Sequence, residues 1–329
     1  MRHTILATAL TLAVSSTATA ATPVLSVYTY DSFVADWGPG PQIEAMFEAT
    51  CACDLQFTGA GDGAALLARL RLEGARSTAD VILGLDTNLT YAAAETALFV
   101  PHGQDTAALT LPIAWQDDLF LPFDWGYFAF VHDTSLLAVP TSFPDLAESD
   151  VRIVIQDPRS STPGLGLLMW VEAAHGDAAT DIWAGLADNI VTVTPGWSEA
   201  YGLFLEGEAD MVLSYTTSPA YHLIAEGDPT KAAAPFKEGH YMQIETAGML
   251  ANSDQPELAR DFLAFMLTKS VQSVLPTTNW MYPAALPETA LPEGFETLIT
   301  PGKVLLFDAE TAAARRDPAL NIWLNALSR

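Results

Sequence analysis

Positive charge and cysteine are both scarce in this 329-residue chain, which carries fourteen Lys and Arg against forty Asp and Glu, and two Cys. The formal net charge of −26 repels nucleic acid and anionic membrane surfaces, because phosphate binding rests on Lys and Arg. It is compatible with a surface that is acidic for solubility alone, and with a summed field that draws in a cationic ligand. Long apolar runs are missing too. The run over residues 5–14 is too short to span a bilayer, and no later stretch reaches the roughly 20 apolar residues of a membrane helix. Signatures of catalysis and metal binding are absent. The histidines, His3, His102, His132, His175, His222 and His240, are scattered and lack the HExxH spacing of a metalloprotease. No GxSxG elbow, Walker loop or dinucleotide fingerprint occurs.

The cysteines, Cys51 and Cys53, stand one residue apart. Pairing suits an oxidising compartment, but needs a local bend, since extended geometry puts the two Cα atoms near the limit for a disulfide. The alternative is metal ligation by two thiols, which falls short of the three protein ligands of a zinc site.

What is present begins with an export signal. Arg2 and His3 precede the apolar run, and Ala18-Thr19-Ala20 matches the small-x-small cleavage pattern of a secretory signal peptide. Residues 1–20 are read as that peptide, and no Cys follows the cut to carry a lipid anchor. The mature protein is expected to be soluble and exported. Its length exceeds what one compact core usually holds, so two lobes are expected.

Short β-like runs alternate with helix-like segments. Residues 24–30 read as a strand with Val24, Ser26, Tyr28 and Tyr30 on one face; residues 42–50 place Ile43, Met46 and Phe47 at helical spacing. Strands over 54–58 and 79–83 and helices over 64–73 and 89–98 continue a βαβαβα order, which predicts a parallel sheet flanked by helices. Further strands near 152–155, 190–193 and 211–214 alternate with helices near 165–174, 178–187 and 199–205, and helices close the chain near 257–267 and 309–327. The extended runs 120–131 and 241–250 are read as crossings between lobes. The predicted fold class is α/β with two lobes, each a mostly parallel sheet flanked by helices, and a ligand cleft between them. The first lobe is discontinuous, over 21–124 and 246–329, and the second covers 125–245.

Two stretches set aromatic rings beside small hydroxyls: Trp197-Ser198-Glu199-Ala200-Tyr201-Gly202, and Ser214 to Tyr221 with Tyr215, Thr216, Thr217 and Ser218 at its head. Ring faces attract organic cations, and hydroxyls with free backbone N–H groups suit anions. Ser161 and Thr162, before Pro163, form either an ordinary helix cap or a place where an anion meets outward N–H groups. Asp62-Gly63 before the helix over 64–73 is either a cap or a counter-charge to a ligand cation. Trp37, in a Gly/Pro-rich loop, and Trp280 have few local apolar neighbours, so a pocket wall suits them better than a core. For Tyr30, core and cleft fit equally.

The runs Val27–Phe33, Asp36–Pro41, Ala79–Asp86, Phe123–Phe130, Gln156–Gly166, Gly196–Phe204, Ser214–Tyr221 and Asn279–Pro283 together resemble the periplasmic thiamine-binding proteins of bacterial ABC transporters. The Cys-x-Cys pair also fits. The resemblance covers nearly all the mature chain. It implies a type II periplasmic binding-protein fold, no resident cofactor and no catalysis. Capture of thiamine, thiamine monophosphate or thiamine diphosphate, and delivery to a membrane permease by a monomer, are likewise implied. The positions matching the family's pocket are Asp62, Gly63, Ser161, Thr162, Trp197 and Tyr215 to Ser218, with Trp37, Tyr221 and Trp280 as further aromatic residues of the cleft. Two rival readings are ferric-iron transport and thiamine degradation on a related fold. Iron sites typically use adjacent tyrosines, whereas Tyr215 and Tyr221 are separated. Degradation uses a cysteine nucleophile, for which only Cys51 and Cys53 are available.

Overall fold

The computed structural model describes residues 21–328, so the expected signal peptide lies outside the described residues. Strands β1 (Val24–Thr29), β2 (Asp54–Gly59) and β3 (Val81–Asp86) are joined through helices α1 (Asp31–Val34), α2 (Gly40–Cys51) and α3 (Gly63–Glu73). They pair in parallel in the order β2-β1-β3, the consequence of helical crossovers that return the chain to the same end of the sheet. β3, Val-Ile-Leu-Gly-Leu-Asp, is buried along its whole length, as a strand covered on both faces must be. The expected helix over 89–98 is shorter, α4 (Thr90–Ala94), because the chain turns at Ala97 with φ +54° before strand β4 (Phe99–Val100).

Strand β5 (Phe120–Asp133) then runs the length of the molecule. Beyond it lie α5 (Phe143–Ala147), β6 (Ile153–Gln156), α6 (Thr162–His175), α7 (Ala179–Leu186), β7 (Ile190–Thr194), α8 (Trp197–Leu205) and β8 (Met211–Tyr215). Strand β6 pairs in parallel with both β7 and β8. The short α9 (Pro219–Tyr221) passes into one π-helical turn, His222–Glu226, before β9 (Lys231–Ala233). The second long strand, β10 (His240–Leu250), leads to α10 (Pro256–Met266), α11 (Lys269–Thr278), β11 (Tyr282–Pro283), β12 (Val304–Leu305) and α12 (Ala309–Leu327). Helix α11 was not expected from the sequence. Pro276 inside it breaks the pattern of a helix former, but buried Gln272 donates to the carbonyls of Phe123 and Met266 at 3.0 and 2.8 Å and ties it to β5.

The sheet is mixed rather than parallel throughout. β10 runs antiparallel to both β3 and β5, and the far end of β5 runs antiparallel to β8. One long strand crosses outward and the other returns, so their directions must oppose. Two main cores flank the crossing, the larger continuous from Tyr28, Leu66 and Ile82 of the first half to Phe130 and Trp170 of the second. Phe33, Phe47, Phe123 and Phe262 pack on one side, and Phe130, Phe143, Trp170 and Phe236 on the other. Cys51 and Cys53 are disulfide-bonded with Cα atoms 5.1 Å apart, across Ala52 in the left-handed region at φ 51°. That residue supplies the bend an extended strand lacks.

Candidate functional site

A cavity of about 570 Å³ opens between the two halves of the sheet. Its floor is made where β5 and β10 cross. The register sets Glu245 opposite Asp124 on one side and Asp86 on the other. Glu245 accepts hydrogen bonds from the Tyr30 hydroxyl and from Gln243 Nε2, both at 2.8 Å. Asn279 Nδ2 donates to Asp124 Oδ2 at 2.6 Å and to the Tyr30 oxygen at 2.9 Å. Burial pushes the Asp124 carboxyl up to about 7, and burial with the neighbouring Asp124 raises Glu245 well above the usual carboxylate range.

Tyr30 reaches this floor because β1 ends at Thr29. The turn into α1 carries its ring to the side of Leu25 and Val27, whereas Tyr28 packs on the other side. Strict alternation through residue 30, which set Tyr28 and Tyr30 on one face, is thereby corrected. Gly84 makes room: at φ +103°, a Cβ there would lie 2.3 Å from Cδ1 of the Tyr30 ring.

The walls are aromatic. Trp197, the first residue of α8, lies 5.0 Å from the Tyr201 ring, and its indole N–H donates to Ser214 Oγ at 2.8 Å. Ser214 in turn shares a 2.7 Å hydrogen bond with Ser218. Tyr215 stacks on Phe128 at 5.2 Å. Burial first, then the charges of Glu245, Asp62, Asp86 and Asp124, hold its phenol well above the ordinary value. Opposite, Tyr221 and Trp280 meet edge to face at 5.4 Å. Trp280 follows α11 with φ +56° and donates its backbone N–H to the Leu275 carbonyl, a left-handed helix-end position that usually falls to glycine. Trp37, 53 % exposed, closes the rim with its ring 6.2 Å from Trp197.

At one end of the cavity the N-termini of α3 and α6 meet. Asp62 accepts from the Gly63 N–H at 2.8 Å and from the Ser161 hydroxyl at 2.7 Å, and Ala65 N–H donates to the Ser160 carbonyl at 2.9 Å. Burial raises the Asp62 carboxyl despite those hydrogen bonds. Gly63 permits the approach, since a Cβ there would sit 2.2 Å from Thr162 Oγ1.

Of the residues singled out from the sequence, Trp37, Asp62, Trp197, Tyr215, Ser218, Tyr221 and Trp280 line the cavity. Gly63, Ser161, Thr162, Thr216 and Thr217 are buried behind it. Tyr201, from the aromatic stretch that begins at Trp197, and Tyr30 line it as well, and Glu245, Asn279 and Met281 do so without having been singled out. Among the described residues, no Lys or Arg faces the cavity, so its interior field is that of the acids.

The sequence model of the bacterial extracellular solute-binding proteins matches residues 30–273. The chain is 54 % identical over 312 residues to the thiamine-binding periplasmic protein of Salmonella typhimurium, covering 94 % of this chain and 95 % of that one. A solved periplasmic thiamin binding protein superposes with a TM-score of 0.91 at 53 % identity, covering 94 % of this chain and 97 % of that one. Iron-bound HitA from Pseudomonas aeruginosa superposes with a TM-score of 0.75 at 21 % identity, over 92 % of this chain and 99 % of that one, a likeness of fold alone. With its two-lobed α/β architecture and central cavity, the chain belongs to the bacterial extracellular solute-binding proteins, in the type II fold it shares with the thiamine-binding periplasmic proteins.

Proposed function

We propose that this protein captures thiamine, thiamine monophosphate and thiamine diphosphate in the periplasm and delivers them to the permease of an ABC transporter. One observation carries the reading: a cavity of about 570 Å³ with aromatic walls and a carboxylate floor, into which no described Lys or Arg projects. The size suits a small molecule. A thiazolium cation gains about 1–2 kcal/mol from each well-placed ring face, and Trp197, Tyr215, Tyr221 and Trp280 supply such faces. Asp62 provides a counter-charge to the thiazolium. The hydroxyethyl or phosphate end points toward the joined N-termini of α3 and α6, where Gly63, Ser161 and Thr162 lie. Ser218 holds the wall by accepting from the Tyr215 N–H and bonding to Ser214, which accepts from the Trp197 indole, while Thr216 and Thr217 are buried behind Tyr215.

The two lobes divide at 124/125 and 245/246, a reading supported by β5, which pairs with β10 through Tyr127 and with β8 from Phe128 onward. The protein acts as a monomer and reaches the periplasm through the signal peptide at 1–20; no described helix is long and apolar enough to cross a membrane. It binds its ligand without transforming it, a reading supported by the disulfide that occupies both cysteines.

Titration of the mature protein with thiamine, its two phosphates and ferric iron, followed by tryptophan fluorescence and heat, tests the assignment. Tight binding of at least one thiamine form, with fluorescence quenching that depends on Trp197 or Trp280, is expected. Iron binding without thiamine binding would sink it. Intact thiamine recovered after long incubation separates a binder from a degrading enzyme.

A further inference from the structure

We propose that Glu245 is a ligand-contacting residue, and that its carboxyl shares a proton with Asp124 in the ligand-free protein and releases it when an organic cation settles on the cavity floor. This deepens the thiamine reading and rests on it for the identity of the cation.

Geometry leads to the pair. Glu245 and Asp124 are direct partners across the β5–β10 ladder. A single nitrogen, Asn279 Nδ2, reaches both, at 2.6 Å from Asp124 and 3.4 Å from Glu245. Asp124 is fully buried, and Glu245 is 6 % exposed and opens onto the cavity. Every donor that meets them is neutral: the Tyr30 hydroxyl and the amides of Gln243 and Asn279. Asp124 Oδ1 has no hydrogen-bond donor among the described residues. Two buried carboxylates that face each other across a ladder and share one amide donor, with no cation beside them, cannot both stay ionised, so the pair holds a proton through neutral pH.

The surrounding titratable groups make this pair the store. Tyr30 from the end of β1 and Tyr215 from β8 are phenols raised by the same acids. Asp62, at the start of α3, has its own donors in Ser161 and Gly63. Asp86, on β3 and opposite Glu245 on its other side, is itself raised to about 7 by burial, but it accepts from Asn88 at 2.7 Å and does not line the cavity. A thiazolium carries a fixed charge and no exchangeable proton. When it enters, it stabilises the second carboxylate, the shared proton passes to water, and the net charge of the site is unchanged.

Two measurements test this. The ligand-free protein should show infrared carboxylic-acid absorption near about pH 6.5, and the Asp124–Glu245 part of it should disappear when Asp124→Asn and Glu245→Gln are combined. Calorimetry with thiamine as the probe, in two buffers of different ionisation heat, should then give close to one proton released per ligand. Affinity should rise up to about tenfold per pH unit while the proton is held. Asp124→Asn should bind thiamine at least as tightly as wild type at that pH, with release abolished. Glu245→Gln should also release no proton and should weaken binding by about tenfold or more. Equal heats in the two buffers for a wild type that binds thiamine would overturn the proposal. So would release that persists in both variants, which would place the proton on another acid. Absence of thiamine binding would remove the thiamine reading, while the ligand-free infrared band decides separately on the shared proton. If Asp124→Asn fails to fold, the wild-type band and Glu245→Gln still decide it.

Discussion

The Ser161 hydroxyl donates to the Asp62 carboxylate at 2.7 Å, a bond that joins the helix starts of the two halves. Asp62 therefore occupies the place where two sets of helix N–H groups favour an anion. A phosphate arriving there meets a like charge. Asp62→Asn is expected to improve the affinity for thiamine monophosphate relative to thiamine by about tenfold, about 1.4 kcal/mol. Ser161→Ala, which removes one charge-assisted hydrogen bond, is expected to weaken all three thiamine forms alike by about 1–2 kcal/mol. Parallel calorimetric titrations of both variants check this, and a loss confined to the phosphorylated forms would mean that Ser161 contacts phosphate directly.

Trp280 holds a left-handed backbone at φ 56°, which costs an L-residue roughly 1–2 kcal/mol relative to glycine. Trp280→Gly is expected to leave the melting temperature equal or higher while thiamine affinity drops at least about tenfold through loss of a ring face. A large fall in melting temperature would mean that the indole is mainly a packing group.

Burial raises the Asp124 carboxyl to about 7, above its unfolded value of about 3.9. The folded chain then binds the proton more tightly than the unfolded chain. This stabilising contribution is complete below the unfolded value and is lost as pH rises through about 7. Ligand-free Asp124→Asn, which never carries the buried charge, is expected to be more stable than wild type at about pH 8, by on the order of 1–3 kcal/mol, with the gap closing toward about pH 4. Urea unfolding at several pH values measures it. A constant gap would show that the charge of Asp124 is not its cause.

The Cys51–Cys53 bridge closes a loop across one intervening residue. Chain entropy for so small a ring gives about 1–2 kcal/mol. The double variant Cys51→Ala, Cys53→Ala is expected to melt a few degrees lower and to keep its thiamine affinity, since neither residue lines the cavity. Loss of binding with retained stability would contradict this.

Much of the scaffold was legible in the sequence because its signals are local. Alternation marks β1 and β2, helical spacing marks α2 and α3, and the long runs around Phe123 and Ile244 declare themselves as crossings. The aromatic wall was legible for a related reason: Trp37 and Trp280 sit in loops with little else to pack against. The floor was not. Glu245 and Asp124 are acids inside apolar runs, and only the register of strands far apart in sequence places them face to face. Asn279 and Tyr30 join them by tertiary contact. Ser161 and Thr162 carry a cap signature whose local pattern gives no sign that the helix points at Asp62.

The β5–β10 ladder changes register between Glu245 and Thr246, and the β3–β10 ladder between Thr246 and Ala247. Such irregularities bend and twist a strand locally. In a rotation of one half against the other about that point, displacement grows with distance from the pivot. Trp37 and Trp197 at the rim sweep the longest arc, whereas the carboxyl of Glu245 sits almost on the axle. Around such a pivot, a guest's charge would stay against Glu245 while the rim moved past its outline.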